Sequence, residues 1–126
     1  MEYEELVNDV SELERLVFMK MDSYCLIEKK CKEKCLNQEE IERLTSDIYN
    51  VFKRLIRITK NACPDLTNED ILFCCLKKSG LDNLIAGRCI GSFSRQAVNQ
   101  RKYRIKKKLY KTKCEYLFDI IFSSDV

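Results

Sequence analysis

Apolar residues recur at helical spacing through most of the chain, with polar residues between them. Near the amino terminus this spacing predicts an amphipathic helix from Glu2 to about Met21. A second apolar stripe follows Asn37, whose side chain can cap a helix, and it extends to about Lys60. We therefore expect two long helices in residues 1–62 that form an antiparallel hairpin or a dimerising coiled coil, unless they only enlarge the core. The apolar positions are Leu6, Val7, Val10, Leu13, Leu16, Val17 and Met21, then Ile41, Leu44, Ile48, Val51, Phe52, Leu55, Ile56 and Ile58.

The sharpest helix boundary predicted by the sequence follows a proline. Pro64 ends the preceding helix, and Thr67 can cap a new one with Asp70 as its capping-box partner. The pattern predicts a helix over about residues 68–78 that stops at Ser79-Gly80, a glycine exit. Its expected buried residues are Ile71, Leu72, Cys75 and Leu76.

Three further helices are predicted downstream. Asp82 can cap a short helix over residues 83–89, and a glycine-containing turn at residues 90–93 follows it. Ser94 can cap a helix that extends to about Leu109. The apolar stretch over residues 114–122 predicts a last helix, which covers the domain or meets a second subunit.

The composition fits an all-helical protein. Among 126 residues there are three glycines and one proline, too few turn residues for a sandwich or barrel of strands. We expect an all-α fold in two parts. Residues 1–62 would form a helical dimerisation or linker region, and residues 63–126 a helix-turn-helix unit with an extra carboxy-terminal helix.

Charge is divided unevenly along the chain, although the net charge is only +3. Residues 1–70 hold 16 acidic and 11 basic side chains, whereas residues 71–126 hold 12 basic and 4 acidic ones. The excess of basic side chains is concentrated in residues 94–113, which carry nine basic side chains and no acidic one. A segment of this kind favours a polyanionic partner.

The predicted helix over residues 94–109 has two faces. Val98, Ile105 and Leu109 fall on one line, which would pack on the preceding helix. The other side carries amides and a phenol that can bond base edges in a DNA major groove, among cations that suit phosphates. The expected base-reading residues are Gln96, Asn99, Gln100 and Tyr103, and the expected phosphate-binding residues are Arg95, Arg101, Lys102, Arg104, Lys106 and Lys107. Double-stranded DNA is the expected partner. A helix that is only solvated would carry the same charge. A helix that binds an acidic membrane would also be basic, but such a helix usually has large apolar side chains that insert into the lipid.

The sequence offers no residues arranged for catalysis. It has no histidine and no glycine-rich phosphate loop, so we expect no enzyme activity, no cofactor and no metal site. The eight cysteines lack paired C-x-x-C spacing and follow no signal peptide, which indicates structural thiols in a reducing cytoplasm. No stretch is apolar enough to predict a membrane span.

A set of residues between positions 63 and 113 follows a recognisable pattern: Leu66-Thr67, Glu69, Ile71-Leu72, Gly80, Asn83, Ile85-Ala86, Ser94, Ala97-Val98 and Lys108-Leu109. In this pattern the segment resembles the LuxR-type helix-turn-helix domain. The segment from Arg101 to Leu109 is especially similar to the variant in Bacteroidetes regulators, where this domain follows tetratricopeptide repeats and a helical linker. Leu84 stands where the family has an acidic residue, and the spacing from Ala86 to Val98 is about two residues longer. Either the turn is longer, or Gly87 takes the packing place of the alanine.

The resemblance implies a cytoplasmic transcription regulator that binds DNA as a homodimer and inserts its third helix into the major groove. The signal that controls such a regulator would come from residues 1–62, from an upstream sensor or from a longer parent protein. Two alternatives stay open at this point. One is a helical adaptor that binds a protein partner, and the other is a sigma-factor-like segment that meets both promoter and RNA polymerase.

Overall fold

A computed structural model describes residues 2–92 and 94–125, and all regular structure in these residues is helical. The expected all-α class is confirmed. Eight α-helices follow one another, and a 3-10 turn over Ser123–Asp125 ends the described part. The helices are α1 Glu2–Phe18, α2 Asp22–Lys30, α3 Gln38–Val51, α4 Lys53–Ala62, α5 Asn68–Lys78, α6 Asn83–Cys89, α7 Arg95–Lys111 and α8 Glu115–Ile121.

The amino-terminal region contains a helix that the apolar pattern does not predict. The first helix ends at Phe18, and α2 follows after a three-residue turn. The buried side chains of this region include Tyr24, Ile27 and Cys31. Three charged residues separate Ile27 from Cys31, and the apolar stripe of this nine-residue helix is too short to stand out in the sequence.

The predicted second long helix is two helices, α3 and α4, which meet at Phe52. The ψ angle of Phe52 is 34°, which interrupts the helical backbone. The buried carboxylate of Glu14, on α1, accepts hydrogen bonds from the backbone N–H groups of Arg54 and Leu55, each at 3.0 Å. A helix start leaves such N–H groups without partners, so a residue from α1 caps α4.

Helix α5 lies at the centre of the protein and contacts α3, α4, α6 and α8. All nine of its residues from Asp70 to Lys78 are buried. Ile71, Leu72, Cys75 and Leu76 are buried as expected, but the residues between them are buried too. Helix α5 is therefore enclosed on its whole circumference instead of along one stripe.

The two halves of the chain contribute to one hydrophobic cluster, which extends from Val7 to Phe122. Helix α6 is joined to the amino-terminal half, because Arg88 Nη1 donates to the Cys31 carbonyl at 2.8 Å. The Leu36 N–H donates back to the Arg88 carbonyl at 3.3 Å. The predicted boundary at residue 62 falls between α4 and α5, which pack against each other.

Four predicted helix caps are present. Asn37 and Thr67 each form a capping box, with Glu40 and Asp70 as the respective partners. Asp82 and Ser94 each accept a hydrogen bond from the backbone of the helix that follows. Helix α5 ends at Lys78, and Gly80 follows the cap residue Ser79 with a φ of 90°, which suits a residue without a side chain. The predicted turn after α6 includes Phe93, which lies outside the described residues.

Helices α6 and α7 approach each other closely at Gly87. A Cβ atom on Gly87 would lie 2.7 Å from Val98 Cγ2 and 3.2 Å from the Ser92 carbonyl oxygen. Both distances are shorter than ordinary van der Waals contact, and Val98 is itself buried. The absence of a side chain at Gly87 thus sets how near α7 can pack.

We expect Gly87→Ala to destabilise the protein by about 1–2 kcal/mol. Overpacking costs about 1–3 kcal/mol, and the higher helix propensity of alanine returns up to about 1 kcal/mol. Urea unfolding followed by circular dichroism measures the difference. In a Val98→Ala background the same change should cost much less, because the clashing methyl group is gone. An equal cost in both backgrounds would contradict the close contact.

Candidate nucleic-acid interface

Helix α7 carries the basic segment, and its inner side holds it to the rest of the protein. Ser94 Oγ accepts the Ala97 N–H at 3.0 Å and fixes the start of the helix. Val98, Ile105 and Leu109 are buried, as the spacing predicts. Helix α7 packs on α6 and α8 through this line.

A buried carboxylate on α5 holds the middle of α7. Asp70 Oδ1 lies 2.9 Å from Nη1 of Arg101, and Asp70 Oδ2 lies 3.4 Å from Nζ of Lys108. Burial favours the neutral acid, but hydrogen bonds from Thr67 and the charges of Lys108 and Arg101 outweigh it. They hold the pKa of Asp70 below its usual range. The same residue therefore caps α5 and pairs with two cations of α7.

A second carboxylate joins α7 to the other end of α5. Asp125 Oδ2 lies 2.8 Å from Nζ of Lys102, and Asp125 Oδ1 lies 2.7 Å from Nζ of the buried Lys77. Burial of Asp125 opposes its charge, but the hydrogen bonds and charges of these lysines lower its pKa. The Lys102 ammonium also lies 5.3 Å from the ring centre of Phe122. This ion pair brings the carboxy-terminal turn against α5 and α7.

The outer side of α7 is open to solvent. Tyr103 is 60% exposed, and the three amide side chains expected to read bases are exposed as well. The Lys107 ammonium lies 5.5 Å from the ring centre of Tyr103. A shallow depression on this face is bounded by residues of α7 alone, and no other element among the described residues lines it. Its lining residues are Arg95, Gln96, Asn99, Gln100, Tyr103 and Arg104.

The structure divides the expected site residues into two groups. All four expected base-reading residues line one exposed face, together with two expected phosphate-binding residues, Arg95 and Arg104. Lys106 and Lys107 are exposed beside aromatic rings. Arg101 and Lys102 are instead partly buried in ion pairs within the protein. Their partners lie 31 and 23 residues away, a separation that the sequence pattern does not reveal.

The described residues contain no cluster of three or more cysteine and acidic side chains that could hold a metal ion. Cys74 and Cys75 are buried in α5, and burial raises the pKa of both thiols. They remain protonated thiols and act as small apolar side chains. All eight cysteines are free.

None of the described helices has the length and apolar character needed to cross a membrane. No protein-family model, curated protein or solved structure matches the chain. The resemblance to the LuxR-type domain therefore stays a prediction that depends on the residues themselves.

We expect Asp70→Asn to destabilise the protein at neutral pH by about 3 kcal/mol, because it leaves Arg101 and Lys108 without their buried partner. A lowered pKa means that the carboxylate stabilises the fold above its unfolded pKa of about 4, and that this contribution disappears as pH falls through the folded value. The difference from the unaltered protein should therefore shrink below about pH 4. Urea unfolding at a series of pH values measures it.

The exposed Asp65, in the loop before α5, offers a matched control. Asp65→Asn should change stability little at any pH, because its side chain lies in water. A stability difference for Asp70→Asn that stays constant from neutral to acidic pH would show that the ion pairs do not contribute.

Proposed function

We propose that the chain binds double-stranded DNA in a sequence-dependent manner and regulates transcription, with α7 in the major groove. One observation carries the proposal: the exposed face of α7 combines three amides and a phenol with arginines at both ends of the row. Amides can form paired hydrogen bonds with adenine, and arginines bond guanine or phosphate. A face of this composition suits a partner that is anionic and that presents a sequence-dependent arrangement of hydrogen-bond donors and acceptors.

The way α7 is held supports the proposal. Its inner side is fixed by apolar contacts and by two carboxylates, the buried Asp70 and the partly buried Asp125, so its outer side chains project from a defined position. Base reading requires such side chains to be held near their productive geometry. Helices α5, α6 and α7 follow the order of the helix-turn-helix unit that the sequence resembles, in which the last helix reads the groove.

In this proposal the protein is a transcription regulator and not an enzyme. It would act as a homodimer on two half-sites about one helical turn apart. An upstream sensor or RNA polymerase would be its further partner. A helical adaptor without DNA binding is the competing function, and DNA titration separates the two.

We expect salt-sensitive binding to duplex DNA in a fluorescence-anisotropy titration at two salt concentrations. Arg104→Ala should weaken binding to all sequences alike and reduce the slope of log affinity against log salt by about 0.9, the value of one lost phosphate contact. Arg57→Ala, which removes an exposed arginine from α4, is the matched control and should leave the slope unchanged. Lack of salt-sensitive binding to any duplex would exclude the proposal.

Selection of bound duplexes from a random pool should yield a preferred sequence. On that sequence we expect Asn99→Ala or Gln100→Ala to cost about 1–3 kcal/mol of binding free energy, the value of a paired base contact. On an unselected duplex the same variants should bind almost as the unaltered protein does. The exposed amide Asn61 on α4 provides the control substitution, Asn61→Ala. Equal losses on both duplexes would assign these amides to phosphate contacts.

A further inference from the structure

Helix α1 has two faces that carry large apolar side chains. The protein buries the first, whereas the second stays largely exposed, although the Tyr3 ring on it lies edge-on to Tyr116 of α8 with 6.3 Å between the ring centres. The covered face carries Val7, Ser11, Glu14 and Phe18, which are buried. Helix α1 packs there against α3 and α4, and the Glu14 carboxylate caps the start of α4. The fold of the monomer accounts for this face.

The second face exposes large apolar side chains to solvent. Tyr3, Leu6, Leu13 and Val17 are each between 57% and 64% exposed, and Val10 between them is half-buried. We call these five residues the α1 seam. They are separated by three, four, three and four positions, which is the a and d repeat of a coiled coil. Such a repeat suits another helix as its partner.

The α1 seam exposes several large apolar side chains side by side. Four side chains that are more than half exposed, with the neighbouring Leu16 at 47%, form a row along one helix. Contiguous apolar patches above a few hundred Å² commonly mark interaction sites. A specific interface takes about 800 Å² from each partner including its polar rim, so the α1 seam would form the apolar centre of a small one.

The charges of α1 indicate what covers the seam. Its first turn is acidic, with Glu2, Glu4 and Glu5, whereas the exposed Lys20 lies just after its last turn. Arg15 in the last turn does not contribute, because it is paired with Glu12 of the same helix at 2.7 Å and lies on the side of α1 opposite the seam. Two parallel copies of α1 would bring the acidic turns together. Two antiparallel copies would instead place the acidic turn of each near Lys20 of the other, which is the more favourable arrangement.

We propose that the α1 seam is a homodimer interface, in which α1 of a second copy packs antiparallel across it. In this arrangement Leu6 of one copy lies near Val17 of the other, and Val10 lies near Leu13. The interface uses no residue of the α7 face, so it goes beyond the proposed DNA binding and does not depend on it. Because the seam is short, the dimer should be reversible, with a dissociation constant on the order of 10 µM.

Sedimentation velocity of the full chain without DNA tests the proposal at concentrations on either side of that value. We expect Leu13→Asp to raise the dissociation constant about tenfold or more, because a carboxylate would be buried in the apolar centre. Leu84→Asp, which replaces an apolar residue of α6 that is 42% exposed and outside the seam, should dimerise like the unaltered protein. Unchanged helical circular dichroism would confirm that both variants fold.

Three outcomes would overturn the proposal. The unaltered chain stays monomeric at every concentration, Leu13→Asp dimerises normally, or Leu84→Asp fails to dimerise. Zero-length carbodiimide cross-linking of the dimer tests the orientation. A covalent link between Lys20 and a carboxylate in the first turn of α1 in the other copy supports the antiparallel arrangement, and a dimer without that link contradicts it. A failure of DNA binding leaves all of these outcomes unaffected.

Discussion

The burial of α5 on its whole circumference forces the charged side chains of this helix to find partners inside the protein. An ion removed from water without a partner costs several kcal/mol, so each buried charge needs an opposite one nearby. The three buried charges of α5 are Asp70, Lys77 and Lys78, and their partners come from α1, from α7 and from the carboxy-terminal turn. The central helix thus connects three distant parts of the chain by ion pairs as well as by apolar packing.

This constraint divides the cations of α7 by role. Arg101, Lys102 and Lys108 face inward and neutralise the two carboxylates, so they position the helix and contribute less to its outward field. Arg95, Arg104 and Lys107 project outward beside the amides. A count of basic residues treats the nine in residues 94–113 alike. In the structure about a third of them form ion pairs with carboxylates of the protein itself.

Local signals in the sequence predicted most of the carboxy-terminal half. The caps at Thr67, Asp82 and Ser94 depend on residues within one helical turn, and all three are present. The same signals could not show the break at Phe52, because the carboxylate that compensates it comes from α1. They could not show the full burial of α5 either. Its Phe73 side belongs to the core because α8 and Phe122 cover it, and such coverage is decided by tertiary packing.

The α7 face and the α1 seam differ in chemistry, but the helices that carry them both form ion pairs with α5. The α7 face is polar and cationic and can bond a hydrated polyanion, whereas the α1 seam is apolar and gains by excluding water. Lys78 of α5 pairs with Glu12 on α1 at 3.4 Å, and Asp70 of α5 pairs with Arg101 on α7 at 2.9 Å. Because one buried helix holds both elements, the seam and the basic face keep a defined separation within each copy. A dimer formed through the seam would then present two α7 faces at a fixed spacing, which is the arrangement that recognition of paired half-sites requires.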